Sequence, residues 1–123
     1  MKIGFITVHT KDVEASMGFY EKVLGFKLSR RFSPRPGMDI VFLDDGQGGQ
    51  VELIQDGRAA AFEGEGVSLG FRVEDVGATE AHLKKHGVAD LKGPFELGGG
   101  ARMLTARDPN GLPLGFVQEA HHG

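Results

Sequence analysis

Short apolar segments alternate with polar positions at the start of the chain and again near its middle. This alternation predicts β-strands at 3–10 and 67–73. After each strand, apolar residues recur at helical spacings of three and four, which predicts an amphipathic helix in both places. The residues placed to cap and to end these helices are Asp12, Gly25, Asp75 and Gly87.

Three more strands are predicted after each helix, because apolar runs there are separated by turn-forming segments. The turn segments are SPRPG and DDGQGG in the first half, and LGGG and DPNG in the second. The predicted strands lie at 27–32, 39–43, 50–55, 89–95, 101–106 and 113–118. The order of one strand, one helix and three strands therefore occurs twice.

A gapless internal repeat supports this doubled plan. Shifting the sequence by 63 positions against itself gives ten identical pairs. They are Asp12 with Asp75, Val13 with Val76, Ala15 with Ala78, Lys22 with Lys85, Leu28 with Leu91, Phe32 with Phe95, Gly37 with Gly100, Asp45 with Asp108, Gly48 with Gly111, and Gln55 with Gln118. We therefore predict a single domain, 1–123, made of two modules, 2–56 and 65–119, joined by a linker at 56–66.

Composition narrows the class of protein. Of the 123 residues, 40% are hydrophobic and 25% are charged, which is typical of one globular domain. Without cysteine there is no disulfide and no thiolate metal site, which suits a reducing compartment. The apolar stretch at the start of the sequence is shorter than a signal-peptide core and is broken by His9 and Lys11, so a cytoplasmic location is expected. The net charge of -3 comes without a basic stripe, so nucleic acid is not an expected partner. No apolar run approaches the roughly 20 residues of a membrane span.

Four ordered segments on this plan resemble the vicinal oxygen chelate superfamily, which contains glyoxalase I, extradiol dioxygenases, and the bleomycin and fosfomycin resistance proteins. The segments are HTKDVEASMGFYEKVLGFKL, VELIQ, VSLGFRVEDV and DPNGLPLGFVQ. The resemblance implies an α+β fold in which tandem βαβββ modules form curled mixed sheets around a cleft. It also implies a homodimer, with each cleft built from modules of one chain or of two.

The resemblance locates the positions that hold a metal in the metal-dependent members. These are Phe5 and Ser68 in the first strands, and Glu52 and Gly115 in the last strands. Such members usually have His at the first pair and Glu at the second, and only Glu52 fits. Phenylalanine and glycine supply no side-chain donor, and serine is a poor ligand for zinc, nickel or iron. We therefore expect no metal and no other cofactor.

His9 admits two interpretations. Strand alternation places Phe5, Thr7 and His9 on one face, beside Glu52 if the resemblance holds. His9 and Glu52 are candidates for a displaced metal site. The preferred interpretation is that His9 is a polar lining residue that hydrogen-bonds a ligand.

The second module adds Ser68, Gly70 and Arg72 on one strand face. If Arg72 lies opposite Glu52 and His9, the three side chains provide a cation, a carboxylate and an imidazole that can bind a polar small molecule. The alternative is that Arg72 forms an ordinary salt bridge or is exposed to solvent. Phe5 is a candidate for a stacking surface with Phe42, Phe71, Phe95 and Phe116, most of which are expected in the core. The predicted ligand-binding residues are Phe5, Thr7, His9, Glu52, Ser68, Arg72 and Gly115.

Other candidate chemistries have little support. His82 and His86 lie four positions apart on one helix face, but the zinc-protease pattern is absent and a solvated face is preferred. His121 and His122 are interpreted as incidental. The glycine-rich stretches lack the features of a phosphate-binding loop, and no serine lies in a nucleophile elbow.

Two functional hypotheses follow. The first is a glyoxalase/bleomycin-resistance-like protein that binds a small molecule in a cleft, without the family's metal site and without chemistry. The alternative is an enzyme, either a glyoxalase-like lyase or isomerase or a dioxygenase, in which Glu52 is the catalytic base and a displaced metal or Arg72 stabilises charge. Without a metal, a lone arginine rarely supplies the several kcal/mol that an enolate requires, so the first hypothesis is preferred.

Overall fold

The computed structural model describes residues 1–58 and 66–120. The chain divides into two compact units, unit 1 (Met1–Phe62) and unit 2 (Glu63–Gly123). One predicted module falls in each unit, and most of the predicted linker lies outside the described residues. None of the helices in the described residues combines the length and apolar character needed to cross a membrane.

Unit 1 contains one sheet and one helix. Its elements are β1 (Ile6–His9), α1 (Val13–Gly18) with a π-helical continuation (Phe19–Val23), β2 (Lys27–Phe32), β3 (Asp39–Asp44) and β4 (Gln50–Gln55). The strand order is β1-β4-β3-β2, in which β1 runs parallel to β4 and the other neighbours are antiparallel.

Unit 2 repeats this topology. Its elements are β5 (Leu69–Arg72), α2 (Val76–Lys85), β6 (Ala89–Glu96), a 3₁₀ turn (Gly98–Gly100), β7 (Arg102–Arg107) and β8 (Pro113–Gln118). The strand order is β5-β8-β7-β6, with β5 parallel to β8. The α+β fold with tandem βαβββ units is therefore confirmed, and each sheet is mixed and not closed.

Each helix begins at two side-chain acceptors. In unit 1, Asp12 accepts a hydrogen bond from the backbone N–H of Ala15 (3.0 Å), and Gln55 accepts one from Val13 (2.7 Å). The corresponding bonds in unit 2 are Ala78 to Asp75 and Val76 to Gln118. These acceptors satisfy N–H groups that have no partner within a helix. The glutamines also tie the last strand of each sheet to the helix that packs on it.

The first helix differs from the single α-helix that the spacing predicts. After Gly18 the hydrogen bonds widen to the π-helical pattern, with Leu24 donating to the carbonyl of Phe19 (3.3 Å). In this geometry the Tyr20 ring is fully buried, with its centroid 5.8 Å from that of Phe26. Gly25 then ends the helix at a φ of 77°, a conformation that favours glycine.

The first strands are shorter than predicted. They begin at Ile6 and Leu69, which pair with Val51 and Leu114 respectively. Phe5 and Ser68 therefore lie just before their strands.

The core of each unit lies between its sheet and its helix. Alternate strand residues face that helix, and the other residues project from the opposite face, here called the distal face. The buried residues include Val8, Val13, Tyr20, Val41, Leu43, Val51 and Leu53 in unit 1, and Leu69, Val76, Leu83, Leu104, Leu114 and Phe116 in unit 2. Any ligand site built from the predicted residues therefore lies on the distal faces.

Candidate functional site

A row of four side chains crosses the distal face of unit 1. Thr7 on β1 is in register with Glu52 on β4, Glu52 with Phe42 on β3, and Phe42 with Arg30 on β2. Residues directly opposite each other on neighbouring strands project from the same face. The row therefore presents a hydroxyl, a carboxylate, an aromatic ring and a guanidinium side by side.

Glu52 is held by Thr7 and retains a second acceptor atom. The Thr7 hydroxyl donates to Oε1 of Glu52 at 2.6 Å. Within the described residues, Oε2 has no hydrogen-bond partner and Glu52 has no ion-pair partner. Arg30 lies two strands away, about 10 Å, where opposite unit charges in water attract by only about 0.4 kcal/mol. The carboxylate is therefore available to accept a hydrogen bond or a proton.

Two further phenylalanine rings, Phe5 and Phe32, lie beside this row. Phe5 meets Phe42 edge to face with ring centroids 5.5 Å apart, and the guanidinium carbon of Arg30 lies 4.7 Å from the Phe32 ring centroid and 5.3 Å from that of Phe42. Phe5 is 51% exposed and Phe32 is 37% exposed. The distal face of unit 1 therefore presents exposed aromatic surface next to a cation.

His9 lies next to the row rather than in it. It is in register with Ile54, one pleat beyond Glu52 on the same face, and it is exposed. His9 also influences Asp56, which lies nearby. Hydrogen bonds from the side chain and backbone of Arg58 are the main reason that the pKa of Asp56 is lowered from its usual value, and His9 contributes in the same direction.

The donor atoms on the distal face of unit 1 do not fit a catalytic divalent metal. Its candidate donors are His9, Glu52 and Asp44, and the Thr7 hydroxyl is already bonded to the carboxylate of Glu52. His9 and Asp44 are in register with Ile54 and Gln50, four residues apart on β4, so they lie on opposite sides of Glu52. Catalytic zinc normally takes three protein ligands of the imidazole, carboxylate or thiolate type. Across residues 1–58 and 66–120, no group of three or more His, Cys, Asp or Glu residues is placed to hold a metal ion.

The distal face of unit 2 holds a concavity of about 250 Å³. Its lining includes Ser68, Lys92, Thr105 and Gly115. A Cβ added at Gly115 would meet only the sulfur of Met103, at 3.7 Å. Two of the positions that hold the metal in metal-dependent relatives, Ser68 and Gly115, therefore line an open space, because the glycine removes the bulk that a side chain would bring.

Arg72 is engaged within its own unit. Its Nε donates to Oε1 of Glu119 at 2.7 Å, and both side chains are exposed. This contact corresponds to the salt-bridge alternative considered for Arg72. Its placement opposite Glu52 and His9 stays a prediction.

The remaining sequence candidates lie elsewhere. Phe71 is half-buried and stacks on the buried Phe116 (5.3 Å), whereas Phe95 is 46% exposed. The rings of His82 and His86 lie 4.6 Å apart on the exposed side of α2. His121 and His122 lie outside the described residues.

Sequence reasoning missed Arg30 and Lys92 as distal-face residues. Both lie on strands whose register shifts, between Leu28 and Arg30 in β2 and on either side of Lys92 in β6. A register shift moves side chains from one face to the other without a mark in the hydrophobic pattern. The one available signal was Arg30 two positions before Phe32, a spacing that puts a cation and a ring on one strand face.

Comparisons with known proteins agree with this architecture. The family model described as "Glyoxalase/Bleomycin resistance protein/Dioxygenase superfamily" matches residues 2–116. YwbC of Bacillus subtilis (strain 168), an uncharacterized protein, is 28% identical, with 95% of this chain and 97% of that protein covered.

Two solved structures show the same fold over nearly the whole chain. The integron cassette protein HFX_CASS4, from the mobile metagenome of the Halifax Harbour sewage outfall, is 30% identical with a TM-score of 0.74, and 96% of this chain and 99% of that chain are covered. TnmS3, an antibiotic binding protein from Streptomyces sp. CB03234, is 23% identical with a TM-score of 0.76, and 98% and 97% are covered. At that identity TnmS3 shows the fold alone.

Proposed function

The chain belongs to the glyoxalase/bleomycin resistance protein/dioxygenase superfamily, and on that premise we propose that it binds a small molecule without the family's metal site. The observation that carries the proposal is the chemistry at the four family positions. Phe5 and Gly115 bring no side-chain donor, Ser68 brings a weak one, and Glu52 is bonded to Thr7. Losing side chains that bind the metal directly costs more affinity than losing the residues that hydrogen-bond to them, and loss of the latter already weakens metal binding about 10- to 100-fold.

Two surfaces support binding of a ligand instead. The distal face of unit 1 presents rings, a cation and a carboxylate, and that of unit 2 presents a concavity of about 250 Å³. A concavity of that size accommodates part of a drug-sized molecule, because complete sites are typically about 300–1,000 Å³. The antibiotic binding described for TnmS3 supports the same use of this fold.

Assembly and location are part of the proposal. We propose a homodimer, because several large apolar side chains outside the core are exposed. They include Leu28 (50%), Val67 (62%), Phe95 (46%) and Leu97 (37%). We propose a cytoplasmic location, with which the absence of cysteine is compatible.

One observation favours the alternative, in which the protein is a lyase or isomerase. The Oε2 atom of Glu52 is available as a base, and Thr7 fixes the orientation of the carboxylate through Oε1. Stabilising the resulting oxyanion requires donors near the reacting atom. On the distal face of unit 1 the cations are Arg30 and Lys27, both on β2 and two strands away from Glu52. The alternative therefore ranks below binding alone.

Replacing Glu52 by Gln separates the two functions. Compounds that raise the melting temperature of the wild-type protein in the presence of a chelator are selected, and their conversion is followed by mass spectrometry. Under the binding proposal, Glu52→Gln changes affinity by less than about tenfold, as expected for one hydrogen bond, and no compound is converted. Glu74→Gln is the control, since Glu74 is an exposed carboxylate of unit 2. Conversion that Glu52→Gln abolishes and Glu74→Gln preserves would establish the enzyme instead.

A further inference from the structure

Arg30 differs from most other arginines of the protein in having no carboxylate partner. The arginines that form ion pairs, with nitrogen–oxygen distances of 2.6 to 3.3 Å, are Arg31, Arg58, Arg72, Arg102 and Arg107. Among residues 1–58 and 66–120, Arg30 and Arg35 form none. Arg35 lies in the turn between β2 and β3, whereas Arg30 lies on the distal face of unit 1. Arg30 therefore brings an unneutralised positive charge to the candidate site.

Two aromatic rings orient this charge without neutralising it. The guanidinium carbon of Arg30 lies over the rings of Phe32 (4.7 Å) and Phe42 (5.3 Å). A guanidinium over a ring uses its flat face for the contact, and its N–H donors remain in the guanidinium plane. Those donors match the paired oxygens of a carboxylate, sulfonate or phosphate.

An apolar surface lies next to Arg30, and the carboxylate of Glu52 lies at the far side of that surface. Phe5 is 51% exposed and meets Phe42 edge to face at 5.5 Å. Glu52 follows Phe42 in the row, on the side away from Arg30. An acidic group is attracted toward β2 and repelled from β4, so the row fixes the direction in which a bound anion lies.

We infer that the distal face of unit 1 binds planar aromatic anions, with the ring against Phe5 and Phe42 and the acidic group on the N–H donors of Arg30. This inference rests on the proposed small-molecule function and adds the chemical class of the ligand. Charge complementarity, ring contact and direction all come from the same row of side chains.

The test compares two fluorescent probes of nearly equal shape. Dansylate carries a sulfonate, and dansylamide carries a neutral sulfonamide on the same ring system. Both are titrated into the full chain in the presence of a chelator. The wild-type protein is expected to bind dansylate more tightly than dansylamide, and added salt weakens only dansylate. Arg30→Gln should weaken dansylate about tenfold and leave dansylamide within about twofold, as expected for one charged hydrogen-bonding partner.

Matched variants exclude indirect effects. Arg35→Gln makes the same change of charge away from the distal face and should alter neither probe. Phe42→Leu should weaken both probes, because it removes the ring surface and keeps the charge. Each variant is first shown to melt at the wild-type temperature within a few degrees.

Three results would overturn the inference. These are no dansylate binding up to about 1 mM, equal effects of Arg30→Gln on both probes, and equal effects of Arg30→Gln and Arg35→Gln on dansylate. If one of these three results were obtained while compounds selected by melting temperature still bound without metal, the inference would fail and the proposed function would stand. Dansylate binding that disappeared with the chelator would contradict the proposed function itself.

Discussion

At the scale of single residues, the two units differ most at one repeated position. Glu52 and Gly115 are related by the internal shift of 63 positions and both lie on the last strand of their sheet. Glu52 supplies a carboxylate next to Thr7, whereas Gly115 supplies space next to Met103. Under the proposed function, the same position recognises a polar group in unit 1 and admits bulk in unit 2.

Filling that space should weaken ligand binding to unit 2 without unfolding it. Gly115→Leu adds a side chain whose Cβ meets only the Met103 sulfur, at 3.7 Å, and Gly115 has no positive φ. We expect the free energy of unfolding to change by less than about 1 kcal/mol and ligand affinity to fall at least about tenfold. Gly18→Leu is the control, because a Cβ at Gly18 meets nothing within 4 Å. Unchanged affinity in Gly115→Leu, measured by calorimetric titration, would show that the concavity is not part of the site.

Asp56 should make stability depend on pH in acid. Hydrogen bonds from Arg58 lower the pKa of Asp56, so the folded state favours the ionised form. The resulting stabilisation is complete above the ordinary aspartate pKa of about 4 and is lost as the pH falls through the lowered folded-state pKa. The difference in unfolding free energy between wild type and Asp56→Asn should be constant from about pH 7 to 5 and shrink below about pH 4. A difference that stayed constant through the acid range in urea titrations would contradict this.

At the scale of elements, several identical residues of the repeat make equivalent contacts. Asp45 and Asp108 each accept backbone hydrogen bonds from residues two and four positions later, at the turn before the last strand. Gly48 and Gly111 have positive φ values of 93° and 88° in those turns. The repeated residues therefore preserve turns and helix starts, while residues on the distal faces diverge.

Substitutions at the helix starts test whether the hydrogen bonds made there stabilise the units. Gln55→Ala removes the acceptor for the Val13 N–H, and Gln118→Ala removes the one for Val76. Each should lower the free energy of unfolding by about 1 kcal/mol and the melting temperature by about 4 °C. Gln50→Ala, on the same strand as Gln55, is the matched control and should cost less. Equal losses in Gln55→Ala and Gln50→Ala, measured by thermal denaturation, would show that the contact does not stabilise α1.

The sequence predicts local contacts better than distant ones, and these elements show why. Asp12 and Asp75 cap their helices three residues away, a spacing visible in the chain. Gln55 bonds to a residue 42 positions away, and only its identity with Gln118 in the repeat marks it. The π-helical turn at Phe19–Val23 and the register shift before Arg30 depend on packing between elements. Arg30 was therefore missed as a site residue.

At the scale of the whole molecule, the two units share one fold but differ in their distal faces. The buried faces of both sheets are similar, apolar and packed on a helix. The distal face of unit 1 holds charges and rings, and that of unit 2 holds glycines and a concavity. The hydrophobic pattern predicted the shared plan because burial enforces it. It did not predict the ligand, because packing in the core places no constraint on the distal side chains.

The most direct test of the account is the metal content of the purified protein. The full chain is incubated separately with zinc, nickel, manganese and iron, excess metal is dialysed away, and the bound metal is measured by elemental analysis. The account predicts near-zero occupancy for each metal, because the donors at the family positions are Glu52 and the weak ligand Ser68. Close to one ion per chain, lost on changing His9 or Glu52, would contradict it and favour a metal-dependent lyase or dioxygenase.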